Sequence, residues 1–201
     1  MNDQSRFRIE PRPTTQAAEG LPRWRFTLDE FDRLTEIGLF GAHDRVELIG
    51  GEIVPMSPKS VRHETLRALI SEWFVVRLPA SSRALVELGW RPDAQSYFEP
   101  DVLIVPWGPG FVETPAADVQ LLIEVALSSE ERDMATKAAA YAALGVAEYW
   151  VVRDSTREVI VHTEPGEAGY GALKHVGYAD RITPQALPSL AFSVDEALAI
   201  V

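Results

Sequence analysis

The 201-residue sequence contains no cysteine. That absence excludes disulfide scaffolds, thiolate zinc sites, iron–sulfur clusters and cysteine nucleophiles together. Long apolar runs are missing as well, none approaching the roughly 18 residues needed to cross a bilayer. The first twenty residues are polar, without the apolar core of a signal peptide, so the expectation is a cytoplasmic protein with no membrane attachment. Positive charge is scarce: 19 Lys and Arg stand against 30 Asp and Glu, for a formal net charge of −11. A nucleic-acid binder usually carries the opposite balance. The deficit is uneven, because residues 1–100 hold 13 basic and 15 acidic side chains while residues 101–201 hold 6 and 15. A polyanion is therefore expected to approach surface supplied by the first half.

What is present is an ordinary globular composition, 46% apolar and 24% charged, at a length suited to one domain. Residues 1–22 carry Pro11, Pro13, Gly20 and Pro22 without apolar periodicity, and read as a flexible arm before a domain over 23–201. Thr27 and Glu30 fit a capping box, and Leu28, Phe31, Leu34 and Ile37 form the apolar stripe of a helix that stops at Gly38. In RVELIGGEIVPMS two apolar runs flank Gly50-Gly51, the signature of a tight hairpin, with Glu47 in its first strand. A second helix is expected from Ser60 to about Leu78, burying Leu66, Leu69, Ile70, Trp73 and Phe74, with Arg62, His63 and Arg67 in its first two turns.

Strands are expected over 83–90, 97–105 and 119–127, then an alanine-rich helix over 130–144 ended by Gly145. Two more strands, EYWVV and EVIVH, flank Asp154-Ser155, and a glycine-rich stretch over 165–171 leads into another. Ser193 caps a short helix from 194 to 200. The order predicts an α/β (α+β) fold, a mixed sheet flanked by helices in a single domain.

Two carboxylates stand within otherwise apolar runs, Asp101 in PDVLIV and Glu124 in LLIEVAL. Burying an unpaired ion is costly. On neighbouring strands, two like charges about 4 Å apart repel by roughly 4 kcal/mol at an effective dielectric of about 20. Either one carboxyl is protonated, or a hard divalent cation lies between them, or each pairs with a separate arginine or caps a backbone group. Thirteen residues after Glu124 comes Lys137, with Asp133 one turn before it and Tyr141 one turn after, all on one helical face. The lysine either pairs with Asp133 or reaches back toward the strand carboxylates. Tyr141 reads as a core tyrosine with a satisfied hydroxyl. His63 reads as a phosphate contact or as a satisfied helix histidine. His43, His162 and His175 have no partner at metal-ligand spacing. Tyr149 and Trp150 read as core or interface residues. Neither a GxxxxGKS/T loop nor a GxSxG elbow is present.

In this order, VELIGGEIVPMSP with His63 after it, EPDVLIV, LLIEVALSS, and the block from Asp133 through Lys137 and Tyr141 to GVAEYW resemble the Uma-type putative restriction endonuclease family, a branch of the PD-(D/E)XK nuclease superfamily. The resemblance runs from about Thr27 to Trp150. It implies a restriction-endonuclease-like fold and Mg (or Mn)-dependent hydrolysis of DNA phosphodiester bonds. Pro100-Asp101 resembles the PD element and Glu124 its acidic partner. Ala126 stands where that motif has its lysine, which makes Lys137 on the following helix the candidate.

By this resemblance Asp101, Glu124 and Lys137 are the catalytic residues, Asp101, Glu124 and Glu47 hold the metal, and His63 and Tyr141 are candidate substrate contacts. Lys137 would position the attacking water or neutralise charge in the transition state, since its ammonium is a base only if its pKa is depressed, which Asp133 opposes. A homodimer is also expected, because duplex cleavage is often done by symmetric pairs, with EYWVV as a candidate interface. Two further readings stay open. One is a binding or assembly module on a nuclease fold, favoured by the charge of −11 and the lack of a helix-turn-helix or zinc finger. The other is a hydrolase of smaller phosphoesters.

Overall fold

Thr27 opens the first helix as the capping box requires: its hydroxyl accepts from Glu30 N, and the Glu30 carboxylate accepts from Thr27 N at 2.9 Å. The computed structural model describes residues 24–41, 43–127 and 131–200, the last stretch without the side chains of 131–134. The flexible arm expected over 1–22 and any pairing of Asp133 lie outside the described residues. Helix α1 spans Leu28–Glu36, followed by the hairpin strands β1 (Val46–Ile49) and β2 (Glu52–Pro55). Both turn glycines have positive φ, 56° at Gly50 and 84° at Gly51, which a two-residue hairpin turn demands.

Helix α2 (Val61–Val75) starts where Ser60 accepts a hydrogen bond from His63 N. It stops a turn short of the expected Leu78 and buries Leu66, Ile70, Trp73 and Phe74, leaving Leu69 half-buried. The expected strand over 83–90 is two strands, β3 (Ser82–Val86) and β4 (Trp90–Asp93). Between them Glu87 takes φ 49°, and Gly89 packs so closely on Tyr97 that a Cβ there would lie 2.4 Å from its ring. The run over 97–105 is likewise split, into β5 (Ser96–Phe98) and β6 (Val102–Pro106), because Pro100 has no N–H for a ladder and the chain bends there. Asp101 therefore sits at a bend ahead of β6 and not inside a strand.

Strand β7 (Leu121–Ala126), helix α3 (Glu131–Leu144), and strands β8 (Glu148–Arg153), β9 (Glu158–Gly166) and β10 (Gly169–Gly177) complete the body, with a terminal helix α4 (Val194–Leu198) shorter than expected. Two sheets result, one ordered β2-β1-β5-β4 and one ordered β10-β9-β8-β7-β6-β3. All described pairings are antiparallel except β7 with β8, which α3 connects. β7 is buried at all six positions, as its unbroken apolar run requires.

The larger sheet separates two cores. On one face Ile104, Ile123, Val125 and Trp150 pack with Leu66, Ile70 and Phe74 of α2 and with Phe192 near α4. On the other, Leu103, Leu122, Tyr149 and Val151 pack with Tyr141 of α3 and with Trp90 and Phe98 of the smaller sheet. EYWVV is an interior strand between β7 and β9, with Tyr149 and Trp150 fully buried. Its residues are core, so it offers no surface to a second copy. No helix among the described residues is long and apolar enough to cross a membrane.

Candidate active site

β6 and β7 are antiparallel neighbours with Val102 opposite Ile123, which brings Asp101 beside Glu124. Asp101 N donates to Glu124 Oε2 at 3.3 Å. Glu124 shares its face of β7 with Leu122 and Ala126, the face that α3 covers, and two residues one turn apart on α3 reach it. Lys137 Nζ and Tyr141 Oη each lie 3.0 Å from Glu124 Oε1. The same ammonium donates to Glu47 Oε1 at 3.0 Å, so β1 of the smaller sheet closes the site. Glu47 also accepts from Glu99 N at 3.0 Å.

Asp101 is held on every side. Val125 N donates to Oδ2 at 2.9 Å, His63 Nε2 lies 3.0 Å from the same oxygen, and Lys59 Nζ donates to Oδ1 at 2.8 Å. Glu47, Asp101 and Glu124 are 2%, 1% and 3% exposed. With Lys59, His63 and Lys137 they line a cavity of about 110 Å³, to which Ile49, Val54, Pro55 and Met56 add apolar lining. All six side chains singled out in the sequence are thus in one cluster, Tyr141 beneath the cavity and the other five lining it. Of the alternatives open for the two strand carboxylates, the structure shows separate partners, lysines where arginines were expected, together with a backbone cap on Asp101. His162 contacts the backbone of Ile160 and Tyr149, and His175 pairs with Glu158; neither belongs to the site.

Sequence reasoning missed Lys59 and the carboxylate behind it, Glu87, 2.6 Å from the Lys59 ammonium. Glu87 interrupts the apolar run RALVELGW just as Asp101 and Glu124 interrupt theirs. That interruption was the available signal.

The Uma2 family, described as putative restriction endonuclease, matches residues 28–195. The chain belongs to this family. The resemblance seen in the motifs is thereby borne out over most of the sequence. A crystal structure titled as a putative nuclease belonging to DUF820, from Anabaena variabilis, is similar at 16% identity with a TM-score of 0.67. The match covers 87% of this chain and 98% of that one, which shows a shared fold. No curated protein is significantly similar in sequence.

The electrostatics of this Uma2 site follow from burial. Burial, only partly offset by Lys137, together with the charges of Asp101 and Glu47, pushes the Glu124 carboxyl up to about 7. Burial acts the same way on Asp101, but the His63 hydrogen bond and the Lys59 charge outweigh it and hold that carboxyl well below the usual range. For Lys137, burial favours the neutral amine, but Glu124 and Glu47 prevail and raise its pKa. The charged ammonium is therefore the favoured form of this lysine.

Among the described residues no group of three or more His, Cys, Asp or Glu side chains is placed as it stands to hold a metal ion. Ammonium groups occupy the inner seats. The donor chemistry nevertheless fits a hard divalent cation: the candidate ligands Asp101, Glu124 and Glu47 offer carboxylate oxygen, they are buried together, and two lysines leave three carboxylates one positive charge short.

A pH dependence follows. The folded-state pKa of Glu124 lies above its ordinary value of 4.5, so its contribution to stability is present below that value and is lost as pH rises through about 7. Asp101 works in the opposite sense, contributing above its ordinary value of 3.8 and failing only in acid. Metal-free thermal unfolding scans from about pH 5 to pH 8 should show a Glu124-dependent fall in stability that flattens in Glu124→Gln. An identical slope in wild type and variant would mean that Glu124 is already ionised across that range.

Proposed function

We propose that the protein is a divalent-metal-dependent endonuclease that hydrolyses DNA phosphodiester bonds. The observation that supports this most is the meeting of Asp101, Glu124, Glu47 and Lys137, from four separate segments of the chain, in a single cavity of a Uma2 chain. Phosphodiester hydrolysis needs an activated water and compensation for negative charge on the phosphoryl and leaving oxygens. Mg²⁺ or Mn²⁺ held by Asp101, Glu124 and Glu47 would supply Lewis acidity and a water of lowered pKa.

The chain's own groups do the remainder. Lys137 brings a permanent positive charge to the cavity, set between two carboxylates at 3.0 Å. It positions a water by hydrogen bonding and stabilises negative charge on the phosphoryl group. Tyr141 fixes the Glu124 carboxylate from below, while His63 and Val125 N fix Asp101, so the ligands keep their orientation. DNA and a second copy of the chain are the proposed partners, in a cytoplasmic setting.

The test is cleavage of duplex DNA with Mg²⁺ or Mn²⁺ by wild type beside Asp101→Asn and Lys137→Met, with a small phosphodiester run in parallel. Metal-dependent cleavage lost in both variants supports the reading. Cleavage of the small ester alone would redirect it to smaller substrates. A second reading, a binding or assembly module without vigorous catalysis, is favoured by the net charge of −11. It predicts no cleavage and no salt-dependent DNA affinity in the wild type.

A further inference from the structure

The cavity contains a second ammonium group that the family motifs leave out. Lys59 lies between β2 and the N-cap of α2, its side chain 12% exposed. Its Nζ is divided between Asp101 Oδ1 at 2.8 Å and Glu87 Oε1 at 2.6 Å, much as Lys137 is divided between Glu124 and Glu47. The two seats of Lys59 differ in kind. Asp101 is one of the carboxylates assigned above to the cation, and a divalent ion there would take the oxygen that holds Lys59 and repel its charge. Glu87 lies outside the cavity lining, with its side chain 28% exposed, and is free of that competition.

Glu87 is also a fixed seat. Its backbone is in the left-handed region at φ 49°, a conformation that side-chain-bearing residues adopt at some energetic cost. Its N–H is bound to Pro100 O at 3.3 Å, next to Asp101. Arg67 at 3.3 Å and Arg45 at 3.6 Å hold the carboxylate as well. Each arginine has a further acidic partner, Glu64 for Arg67 and Glu99 for Arg45, and neither arginine lines the cavity. The arginines therefore anchor Glu87, and Lys59 is the cation that it presents to the site.

Resting on the nuclease reading above, we infer that Lys59 is a substrate-binding residue. With Asp101 engaged by the cation, Glu87 keeps the Lys59 ammonium at the cavity and its remaining N–H donors meet a phosphate oxygen of the DNA strand. An ammonium has three donors and Glu87 occupies one. In a chain this acidic, a cation held at the reacting phosphate counts for more than surface charge. It also lies in the first half of the sequence, where a polyanion was expected to approach.

The experiment compares full-length wild type, Lys59→Met and Lys59→Arg. Mn²⁺ binding is measured by calorimetry, and binding of a fluorescein-labelled DNA duplex is measured over a salt series with Ca²⁺ replacing Mg²⁺ to hold cleavage down. Lys59→Met is expected to bind the duplex about tenfold more weakly, with a salt slope shallower by about one. Its Mn²⁺ affinity should equal or exceed that of wild type, and Lys59→Arg should recover most of the DNA affinity. Wild-type affinity and slope in Lys59→Met would overturn the inference. So would loss of Mn²⁺ binding together with DNA binding, the mark of a purely structural role. A wild type that binds no duplex at any salt overturns the nuclease reading and this inference together, whereas a wild type that binds and cleaves beside an unaffected Lys59→Met overturns this inference alone.

Discussion

Lys137→Met is expected to lower metal-supported DNA cleavage by roughly 10²–10³-fold, the range seen when a preorganised group stabilising transition-state charge is removed. The lysine is half-buried between Glu47 and Glu124, so its loss leaves two carboxylates facing each other without their shared cation. Removing one member of a buried ion pair ordinarily destabilises strongly. Here Glu124 relieves the strain by holding a proton, since its carboxyl is already pushed up to about 7 with the lysine present. The variant is therefore expected to fold, with lower thermal stability in EDTA than wild type, and to recover part of the difference when Mg²⁺ is added. Single-turnover cleavage and thermal unfolding with and without Mg²⁺ check both halves. Cleavage at the wild-type rate would remove Lys137 from the chemistry.

Phe192→Ala should have the largest effect on stability and little on the reaction. Phe192 is fully buried against Trp73, Phe74 and Trp150, with ring centroids 5.0, 5.1 and 5.7 Å away. It also pairs with Ile182, closing the segment that leads into α4. Truncating such a side chain costs about 3–5 kcal/mol through lost burial and the cavity left behind. In a domain of this length that lowers the unfolding midpoint by on the order of 10 °C. Phe192 lies in the core on the α2 and α4 face of the sheet, whereas Glu124 faces α3, so cleavage measured well below the midpoint should stay near wild type. A midpoint lowered by only about 1 °C would show that the terminal segment contributes little to the domain.

Much of this molecule was legible in its sequence because its determinants are local. The capping box at Thr27, the Gly50-Gly51 turn and the stop at Gly145 each rest on a few adjacent residues, and each is in place. Asp101 and Glu124 stood out because charge inside an apolar run needs an explanation. The misread strands show the limit. Residues 83–90 read as one strand by composition, and the break between β3 and β4 depends on a strained φ at Glu87 and on the close approach of Gly89 to Tyr97 of β5, whereas the break in 97–105 comes from Pro100, whose effect on the ladder was legible in the sequence. Lys59 had no periodic context, sitting in MSPKS just ahead of a helix cap, and its role depends on Asp101 and Glu87, far away in sequence. Glu148, which ties Trp150 Nε1 at 2.7 Å and Gln185 N at 2.6 Å, was overlooked as the first letter of an apolar strand for the same reason.

We propose that Asp101 and Glu124 hold a divalent cation beside Lys137. A crystal of the full chain soaked in Mn²⁺ and measured at the manganese absorption edge tests it directly. The expected result is an anomalous peak coordinated by Asp101 and Glu124, with the Lys59 ammonium withdrawn from Asp101 toward Glu87. A cavity without an anomalous peak, with both lysines still paired to Asp101 and Glu124, would contradict it.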